Sequence, residues 1–135
     1  MSRIYPLRPI PGVGAIIFSE KNVLMAQRGK APGAGNWSVP GGALKLGETL
    51  EEACKRETLE ETGLIVDIVS RCAVLDRITR DNWNRVQYHY VLVDFVCRPV
   101  GGSLKPGSDI DNAKWVPLKD LGNLEPMTRG TAQVI

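Results

Sequence analysis

A helix bounded by Thr49 and Gly63 constrains the fold of this chain more than any other feature of its sequence. Thr49 and Glu52 have the spacing of a capping box, in which a threonine and a glutamate three residues later satisfy each other's backbone N–H groups. Gly63 has the residue type that ends helices in a left-handed C-terminal cap. The sequence therefore predicts a helix of more than three turns, from about Leu50 to Thr62.

Acidic side chains share the face of this helix that carries its apolar residues. At about 100° per residue, Glu57 and Glu61 continue the apolar stripe that begins with Leu50. Ala53 and Cys54 belong to the same stripe. Ionised carboxylates turned toward the protein are costly unless their charge is compensated. A bound divalent cation is the simplest compensation.

The charges along the chain agree with a cation site. From Gly42 to Leu64 six acidic residues face three basic ones, whereas the rest of the chain has nine acidic and fourteen basic residues. Ligands that are all oxygen atoms favour magnesium, manganese or calcium over zinc. A solvated acidic helix face at the edge of the domain is the alternative that charge alone leaves open.

Composition predicts one compact domain spanning residues 1–135. The chain is 43% hydrophobic and 24% charged, and its net charge of +2 is too small to argue for a nucleic-acid partner. No apolar stretch approaches the roughly 18 to 20 residues needed to span a bilayer. Prolines at Pro6, Pro9 and Pro11 break the N-terminal segment, which therefore lacks the apolar region of a signal peptide.

The cysteines point to a reducing compartment. The chain has three, which is an odd number, and they are widely spaced in apolar sequence. This pattern favours reduced core thiols over a disulfide framework. We therefore expect a cytoplasmic protein with no membrane span and no nucleic-acid partner.

Several apolar runs predict β-strands on both sides of the helix. The runs are Val13–Phe18, Val23–Arg28, Leu64–Arg80, which we expect to be bent or split, Val86–Val100 and a short run around Trp115. The first two runs are separated by a short turn and predict a hairpin. Many strands with few helices between them indicate a mixed sheet flanked by helices.

The spacing of residues around the helix resembles the box of the Nudix hydrolases. Gly42 is followed after five residues by Glu48, and after seven more by the run RETLEETGL from Arg56 to Leu64. Thr58 stands where an aliphatic residue is usual, which we interpret as a variation in the core. The segments GNWSVPGG and DIDNAKWVPLKDL are also similar to family sequences before and after the box.

The resemblance implies an α/β fold, an α/β/α sandwich with a mixed β-sheet, in which the box forms a loop, a helix and a loop. It also implies the functional residues by position. Glu57, Glu60 and Glu61 would be both metal ligands and catalytic residues. The carbonyl of Gly41 would be a further ligand, and Arg56 would orient the carboxylates through hydrogen bonds.

A further acidic ligand in this family often lies outside the box. Asp109 is our candidate, with Asp111 as the alternative, and either residue would otherwise serve only in a turn. We expect Glu48 to support the loop before the helix rather than to take part in chemistry.

The family reaction is hydrolysis of a nucleoside diphosphate linked to another group X. The implied cofactor is Mg²⁺, with Mn²⁺ as a substitute, which neutralises the diphosphate and acidifies a bound water. A carboxylate then removes the proton. We assign this base to Glu60 or Glu61, and Glu57 mainly to metal binding.

Substrate contacts are expected from two kinds of side chain. Arg28 and Lys30 are candidates for contacts with phosphate, and aromatic rings are candidates for stacking on a base or ribose. For each ring, packing in the core is the alternative. The aromatic candidates are Trp37 and Tyr88, with Trp83 and Tyr90 also considered.

The whole chain resembles the small ADP-ribose pyrophosphatase-like branch of the family, which implies an ADP-ribose-like or nucleoside diphosphate sugar substrate. An ADP-ribose subgroup carries a proline downstream of its box, and none occurs here between Pro40 and Pro99. Hydrolysis of oxidised nucleoside triphosphates is therefore the main enzymatic alternative. A non-catalytic nucleotide sensor is a different class, but such modules would be expected to lose box carboxylates. The expected assembly is a monomer or a homodimer.

Overall fold

The structure is a computed structural model that describes residues 3–30, 33–107, 110–128 and 135. Seven strands, one α-helix and one short 3-10 helix lie in these ranges. In chain order they are β1 (Ile10–Ser19), β2 (Asn22–Arg28), β3 (Trp37–Ser38), β4 (Gly41–Ala43), α1 (Leu50–Thr62), β5 (Leu64–Arg80), β6 (Val86–Gly102), β7 (Ile110–Pro117) and the 3-10 helix Leu118–Asn123.

The strands form one mixed sheet in the order β3-β2-β1-β6-β5, with β4 added on β1 and β7 on β2. Strands β1 and β6 are parallel, and the other pairs are antiparallel. The predicted hairpin of β1 and β2 is confirmed, but only Phe18 and Ser19 pair across it. Farther along, β1 pairs with β4 while β2 pairs with β3 and β7, so the sheet divides into two parts.

The long run predicted to be bent or split is a single strand. β5 spans 17 residues and pairs with β6 along its whole length. Four register shifts interrupt the pairing, and each introduces a local irregularity without ending the strand.

Apolar clusters cover both faces of the sheet, which gives three layers. The first cluster packs against α1, and its buried members are Val13, Ala15, Ile17, Leu24, Ala53, Cys54, Leu64, Val66, Phe95 and Cys97. The second lies on the other face, under the 3-10 helix, and its buried members are Ile16, Val23, Met25, Trp37, Val116 and Leu121. This arrangement confirms the predicted α/β class.

Two of the three cysteines are buried core thiols, as predicted. Cys54 and Cys97 are free and lie with their Sγ atoms 3.8 Å apart. Cys72 forms no disulfide in the described part of the chain and is exposed, because it lies in the irregular part of β5 where the alternation of buried and exposed residues is lost. Neither helix in the described ranges is long and apolar enough to cross a membrane.

Candidate active site

The helix α1 has the caps that the sequence predicts. The Thr49 hydroxyl accepts the N–H of Glu52 at 3.1 Å, and the Glu52 carboxylate accepts the N–H of Thr49 at 3.1 Å. Gly63 adopts φ 77°, and its N–H bonds to the carbonyl of Leu59. Both ends of the helix, and therefore the positions of its carboxylates, are set by local sequence.

The carboxylates border the buried face of α1 and do not lie at its centre. Its fully buried positions are Ala53, Cys54, Thr58 and Thr62. The Glu57 side chain is 15% exposed, that of Glu60 is 54% exposed, and Glu61 is partly buried. The apolar stripe is thus shifted toward the two threonines, and the glutamates occupy its edge.

Thr58 fits where the family usually has an aliphatic residue. It is completely buried, and its hydroxyl donates to the carbonyl of Cys54 at 2.7 Å. Because this bond satisfies the hydroxyl within the helix, the threonine packs as a core residue.

Arg56 gathers the carboxylates around one guanidinium. Its Nε and Nη2 donate to both oxygens of Glu48, at 2.6 and 3.0 Å. Its Nη1 donates to Glu57 at 2.8 Å and to Glu60 at 3.2 Å, and Nη2 also donates to the carbonyl of Ala43 at 3.0 Å. Such a fork fixes the directions of several acidic groups at once. Glu48 supports the loop before the helix, as we expected.

Two glycines bring the backbone of β4 against the helix. The N–H of Gly41 donates to the Glu61 carboxylate at 2.7 Å. A Cβ atom on Gly42 would overlap the Glu57 carboxyl, and one on Gly41 would overlap the carbonyl of Val13. The structure therefore joins Gly41 to the carboxylates through its N–H group.

The electrostatic balance of the cluster is negative. Burial raises the pKa of Glu57, an effect that Arg56 opposes and the charge of Glu60 reinforces. The hydrogen bond from Arg56 lowers the pKa of Glu48 to about 2, and its bond to Glu48 raises the pKa of Arg56. One guanidinium thus contacts three carboxylates. The Glu57 pKa is raised because its carboxylate is both buried and close to the charge of Glu60.

This set of donors fits a hard divalent cation. Among the described residues, no three acidic, cysteine or histidine side chains are arranged to bind a metal ion. Glu57 and Glu60 accept hydrogen bonds from Arg56, and Glu61 accepts one from the N–H of Gly41. Each of these contacts uses a single carboxylate oxygen. Oxygen ligands with excess negative charge suit Mg²⁺ or Mn²⁺, once the side chains turn toward a common point.

Comparison with known proteins identifies the family. A family model described as the NUDIX domain matches residues 8–135. The chain belongs to the Nudix hydrolase family.

The relatives agree with this assignment. An ADP-ribose pyrophosphatase from Methanocaldococcus jannaschii is 36% identical over 122 residues, which are 90% of this chain and 69% of that protein. An 8-oxo-dGDP phosphatase from Mus musculus is 36% identical over 112 residues, which are 79% of this chain but only 32% of that protein. The solved structure of a MutT Nudix hydrolase from Burkholderia pseudomallei has a TM-score of 0.83 at 29% identity, over 94% of this chain and 95% of that one. The Nudix fold and the enzyme class, a Nudix pyrophosphohydrolase, are thereby confirmed.

Two aspartates were considered as the additional metal ligand outside the Nudix box. Asp109 lies outside the described residues, and Asp111 is exposed on β7. The loop before them does reach the box, because the N–H of Gly107 donates to the carbonyl of Glu61 at 2.8 Å. Asp109 therefore stays a prediction.

The predicted phosphate-binding residues lie near this loop. Arg28, partly buried, ends β2 and pairs with Ile110, at the end of the same loop. Lys30 follows on an exposed segment. The structure thus places Arg28 and Lys30 on the side of the molecule where the loop returns from the box.

Two of the candidate aromatic residues, Trp37 and Tyr88, are buried. Trp37 is 6% exposed within the second core cluster, and the Nζ of Lys114 lies 4.7 Å from its ring centre. This burial agrees with core packing, the alternative that the sequence left open for Trp37, and its contact with substrate stays a prediction. Tyr88 is 9% exposed on β6, whereas Tyr90, two residues along the same face, is partly exposed.

One buried carboxylate escaped the sequence analysis. Asp94 is 3% exposed in the middle of β6. The signal for it was present, since an acidic residue interrupts the apolar run VLVDFV. Charged residues inside buried strands are rare unless they are paired, which makes Asp94 a residue of interest.

Proposed function

We propose that this Nudix hydrolase cleaves the diphosphate linkage of a nucleoside diphosphate linked to another group X, with an ADP-ribose-like compound or a nucleoside diphosphate sugar as substrate. The observation that carries the proposal is the excess of carboxylates around Arg56 beside the glycine pair. The archaeal relative named ADP-ribose pyrophosphatase, matched over 90% of this chain, supports the choice of substrate.

In this proposal Glu57, Glu60 and Glu61, with the Gly41 carbonyl, hold Mg²⁺, for which Mn²⁺ can substitute. When bound there, the cation would neutralise the diphosphate and acidify a water molecule. Arg56 orients Glu57 and Glu60 through hydrogen bonds to one oxygen of each, and both carboxylates can exchange the guanidinium for the cation.

The proton of the attacking water passes to Glu60 or Glu61. Glu60 has the more exposed side chain and is held only at one oxygen by Arg56, at 3.2 Å. Glu61 accepts the N–H of Gly41 at 2.7 Å, which keeps its carboxylate at the backbone of β4. Both are within the cluster, and a carboxylate needs only hydrogen-bond reach of the water to act as the base.

Substrate binding in this proposal involves Arg28 and Lys30, which contact phosphate oxygens, and Tyr88, which contacts the base or ribose. Asp109 supplies the additional ligand from the loop after β6. We further propose that the enzyme works in the cytoplasm on a small-molecule nucleotide, as a monomer or a homodimer.

Hydrolysis of an oxidised nucleotide is the second candidate function. It is favoured by the murine relative named 8-oxo-dGDP phosphatase, which is as similar in sequence as the archaeal one. The lack of a proline between Pro40 and Pro99 also favours it over the ADP-ribose subgroup.

A screen with identified products tests the proposal. Purified protein with Mg²⁺ is given ADP-ribose, nucleoside diphosphate sugars, dinucleotides, 8-oxo-dGDP and nucleoside triphosphates, and the products are separated and weighed by mass spectrometry. We expect Mg²⁺-dependent formation of a nucleoside monophosphate and phosphorylated X. The highest kcat/KM on 8-oxo-dGDP would select the second candidate. Nucleotide binding without cleavage of any compound would contradict both and indicate a sensor.

A further inference from the structure

The last turn of α1 carries Glu60 and Glu61, two of the carboxylates assigned above to the metal, and the helix is capped by Gly63. The final carbonyls of a helix have no partner within the helix and need donors from elsewhere. Basic side chains often supply such donors, but α1 has none in its last turn. The carbonyl of Leu59 accepts the N–H of Gly63, so the carbonyls after it depend on another part of the chain.

The segment that follows β6 supplies these donors. We call residues 103–107 the capping segment. Its N–H groups at every second residue donate to three successive carbonyls at the end of α1. The pairs are Ser103 to Gly63 at 3.2 Å, Lys105 to Thr62 at 2.7 Å, and Gly107 to Glu61 at 2.8 Å. The hydrogen bonding of the helix is thus completed by residues about forty positions later in the chain.

Two residues between the donors hold the capping segment in place. Leu104 is partly buried and packs against two apolar clusters, one of which contains Ala53 and Cys54 of α1. Pro106 has no N–H group, and its ring favours an extended conformation of Lys105 before it. Side-chain packing and backbone conformation therefore both fix the segment along the helix.

Gly107 makes the closest contact with the last turn of α1. A Cβ atom at this position would overlap the carbonyl of Glu60 and lie 3.1 Å from the Cα atom of Glu61. These are backbone atoms, which cannot turn away as the end of a flexible side chain does. Any residue other than glycine would therefore displace the backbone of the two glutamates or move the capping segment off the helix. A displacement of about 1 Å near a reacting group can lower the rate by about a hundredfold.

We propose that the capping segment, through Gly107, positions Glu60 and Glu61 for metal binding and proton transfer. Gly107 is a positioning residue, since it acts through the backbone of the last turn of α1. The inference rests on the proposed function, because it takes the two glutamates as metal ligands and as the base. It has a reciprocal consequence: if the segment positions the ligands, binding of the cation stabilises the segment.

Gly107→Ala is the direct test, and two variants are its controls. Gly101→Ala changes a glycine six residues earlier, where a Cβ atom would be in ordinary contact with Ile65 at 3.6 Å. Val23→Ala removes packing from a completely buried residue in the second cluster, on the face of the sheet opposite α1. The second control therefore lowers stability away from the glutamates.

The measurements are kcat, KM and the affinity for Mn²⁺, each at a temperature well below the Tm of the variant. We expect Gly107→Ala to lose about 10- to 100-fold in kcat and a similar factor in Mn²⁺ affinity, as when a group that orients metal ligands is lost. KM at saturating Mg²⁺ should change much less, because no substrate contact is removed. Gly101→Ala should behave as wild type, and Val23→Ala should have a lower Tm with unchanged kcat and Mn²⁺ affinity.

Amide hydrogen exchange of the wild type tests the same inference without a substitution, and it decides if Gly107→Ala does not fold. Saturating Mg²⁺ should slow exchange of the Lys105 and Gly107 amides by about fivefold or more, the lower end of ordinary coupling between sites. The Arg85 amide, which donates to Asp81 in the turn between β5 and β6, should exchange at the same rate with and without Mg²⁺.

Wild-type kcat and Mn²⁺ affinity in Gly107→Ala would overturn the proposal, as would exchange of the Lys105 and Gly107 amides that Mg²⁺ does not slow. Equal losses of kcat in Gly107→Ala and Val23→Ala would also overturn it, since they would reflect stability alone. In these cases a wild type that cleaves its substrate leaves the proposed function intact. A wild type that binds no Mn²⁺ and cleaves nothing in the screen would overturn the proposed function, and this inference with it.

Discussion

Around Arg56 three carboxylates share one guanidinium, whereas Asp94 is a single buried carboxylate whose charge is offset by Arg77. The first cluster lies at the edge of α1 and the second on the opposite face of the sheet. The carboxylates at Arg56 have an excess of negative charge in a partly buried place, where an unpaired charge is costly. The difference teaches that buried acidic residues indicate a cation site where they outnumber the bases around them, and not where a single acid is offset by a single base.

A balanced cluster at the turn between β5 and β6 gives the reference. There the Asp81 carboxylate accepts from Arg85 Nε at 2.8 Å and from the Tyr5 hydroxyl at 2.7 Å. One acid is matched by one base, and the charges of this turn need no ligand. Variants in this cluster therefore serve as controls for the other two.

The largest expected effect is on kcat, when the general base in the carboxylate cluster is removed. Glu60→Gln and Glu61→Gln remove one negative charge each, and the variant that lacks the general base should lose about 10² to 10⁴ in kcat. Initial rates at saturating Mg²⁺ measure this loss, with Asp81→Asn as the control. Rates within a few-fold of wild type for both glutamine variants would remove these two residues from the chemistry.

Arg56→Lys tests whether the several hydrogen bonds of the Arg56 guanidinium are needed in addition to its positive charge. A lysine cannot bind both oxygens of Glu48 and also reach Glu57, so the carboxylates lose their orientation. We expect the affinity for Mn²⁺ to fall by about 10- to 100-fold, as when a group that orients metal ligands is lost. Titration followed by electron paramagnetic resonance measures it, and Arg85→Lys is the matched control. Equal affinities in the two variants would show that Arg56 does not orient the ligands.

Gly14→Ala probes the second cluster through packing. The new Cβ atom would overlap the Asp94 carboxyl, so unfolding should become easier by about 1 to 3 kcal/mol, as for other overpacked sites. Urea denaturation measures the change. Gly122→Ala is the control, since a Cβ atom there meets nothing within 4 Å. Similar stabilities for both variants would mean that Asp94 can move away at little cost.

The pH dependence of the free energy of unfolding tests the interaction of Glu48 with Arg56. Its pKa is about 2 in the folded chain against an ordinary value of 4.5, because Arg56 hydrogen-bonds to its ionised form. Stability from this group is therefore present above pH 4.5 and is lost as the pH falls toward 2. Glu48→Gln should be less stable than wild type at pH 7, and the two denaturation curves should converge in acid. A difference that stays constant over this range would contradict the assignment.

The smallest effect is expected for Thr58→Val. The hydroxyl donates to the carbonyl of Cys54 within the helix, so its loss should cost less than about 1 kcal/mol and leave kcat unchanged. Thr62→Val should cost more, because the Thr62 hydroxyl also accepts the N–H of Leu64. Thermal unfolding of both variants measures the difference, and the reverse order would contradict this description of the helix.

Local sequence was sufficient to predict α1 and its carboxylates. The caps at Thr49 and Gly63 are formed by residues within four positions of each other, so their effect can be seen without the tertiary structure. The contact of Arg56 with Glu60 follows from helical spacing in the same way. The position of Glu48, eight residues from Arg56, depends on the path of the loop and was predicted only in outline.

The pairing of strands that are distant in sequence could not be predicted. The strand β4 forms because Gly41 and Gly42 pair with β1, about thirty residues earlier. Both positions lack room for a Cβ atom, so the pairing requires glycine. The partner of Asp94 depends on a register with four shifts. The choice between packing and ligand contact for Trp37 could not be made either, because an aromatic residue in a loop-rich segment has the same sequence pattern whether its ring is buried or exposed.

Crystals soaked in Mn²⁺ provide the most direct test of the cation site. The account predicts an anomalous difference peak between Glu57, Glu60 and Glu61, with carboxylate oxygens about 2.1 to 2.2 Å from the ion and the side chains turned away from Arg56 and Gly41. A map with no peak there at saturating Mn²⁺, and with the three carboxylates still on those protein donors, would contradict it.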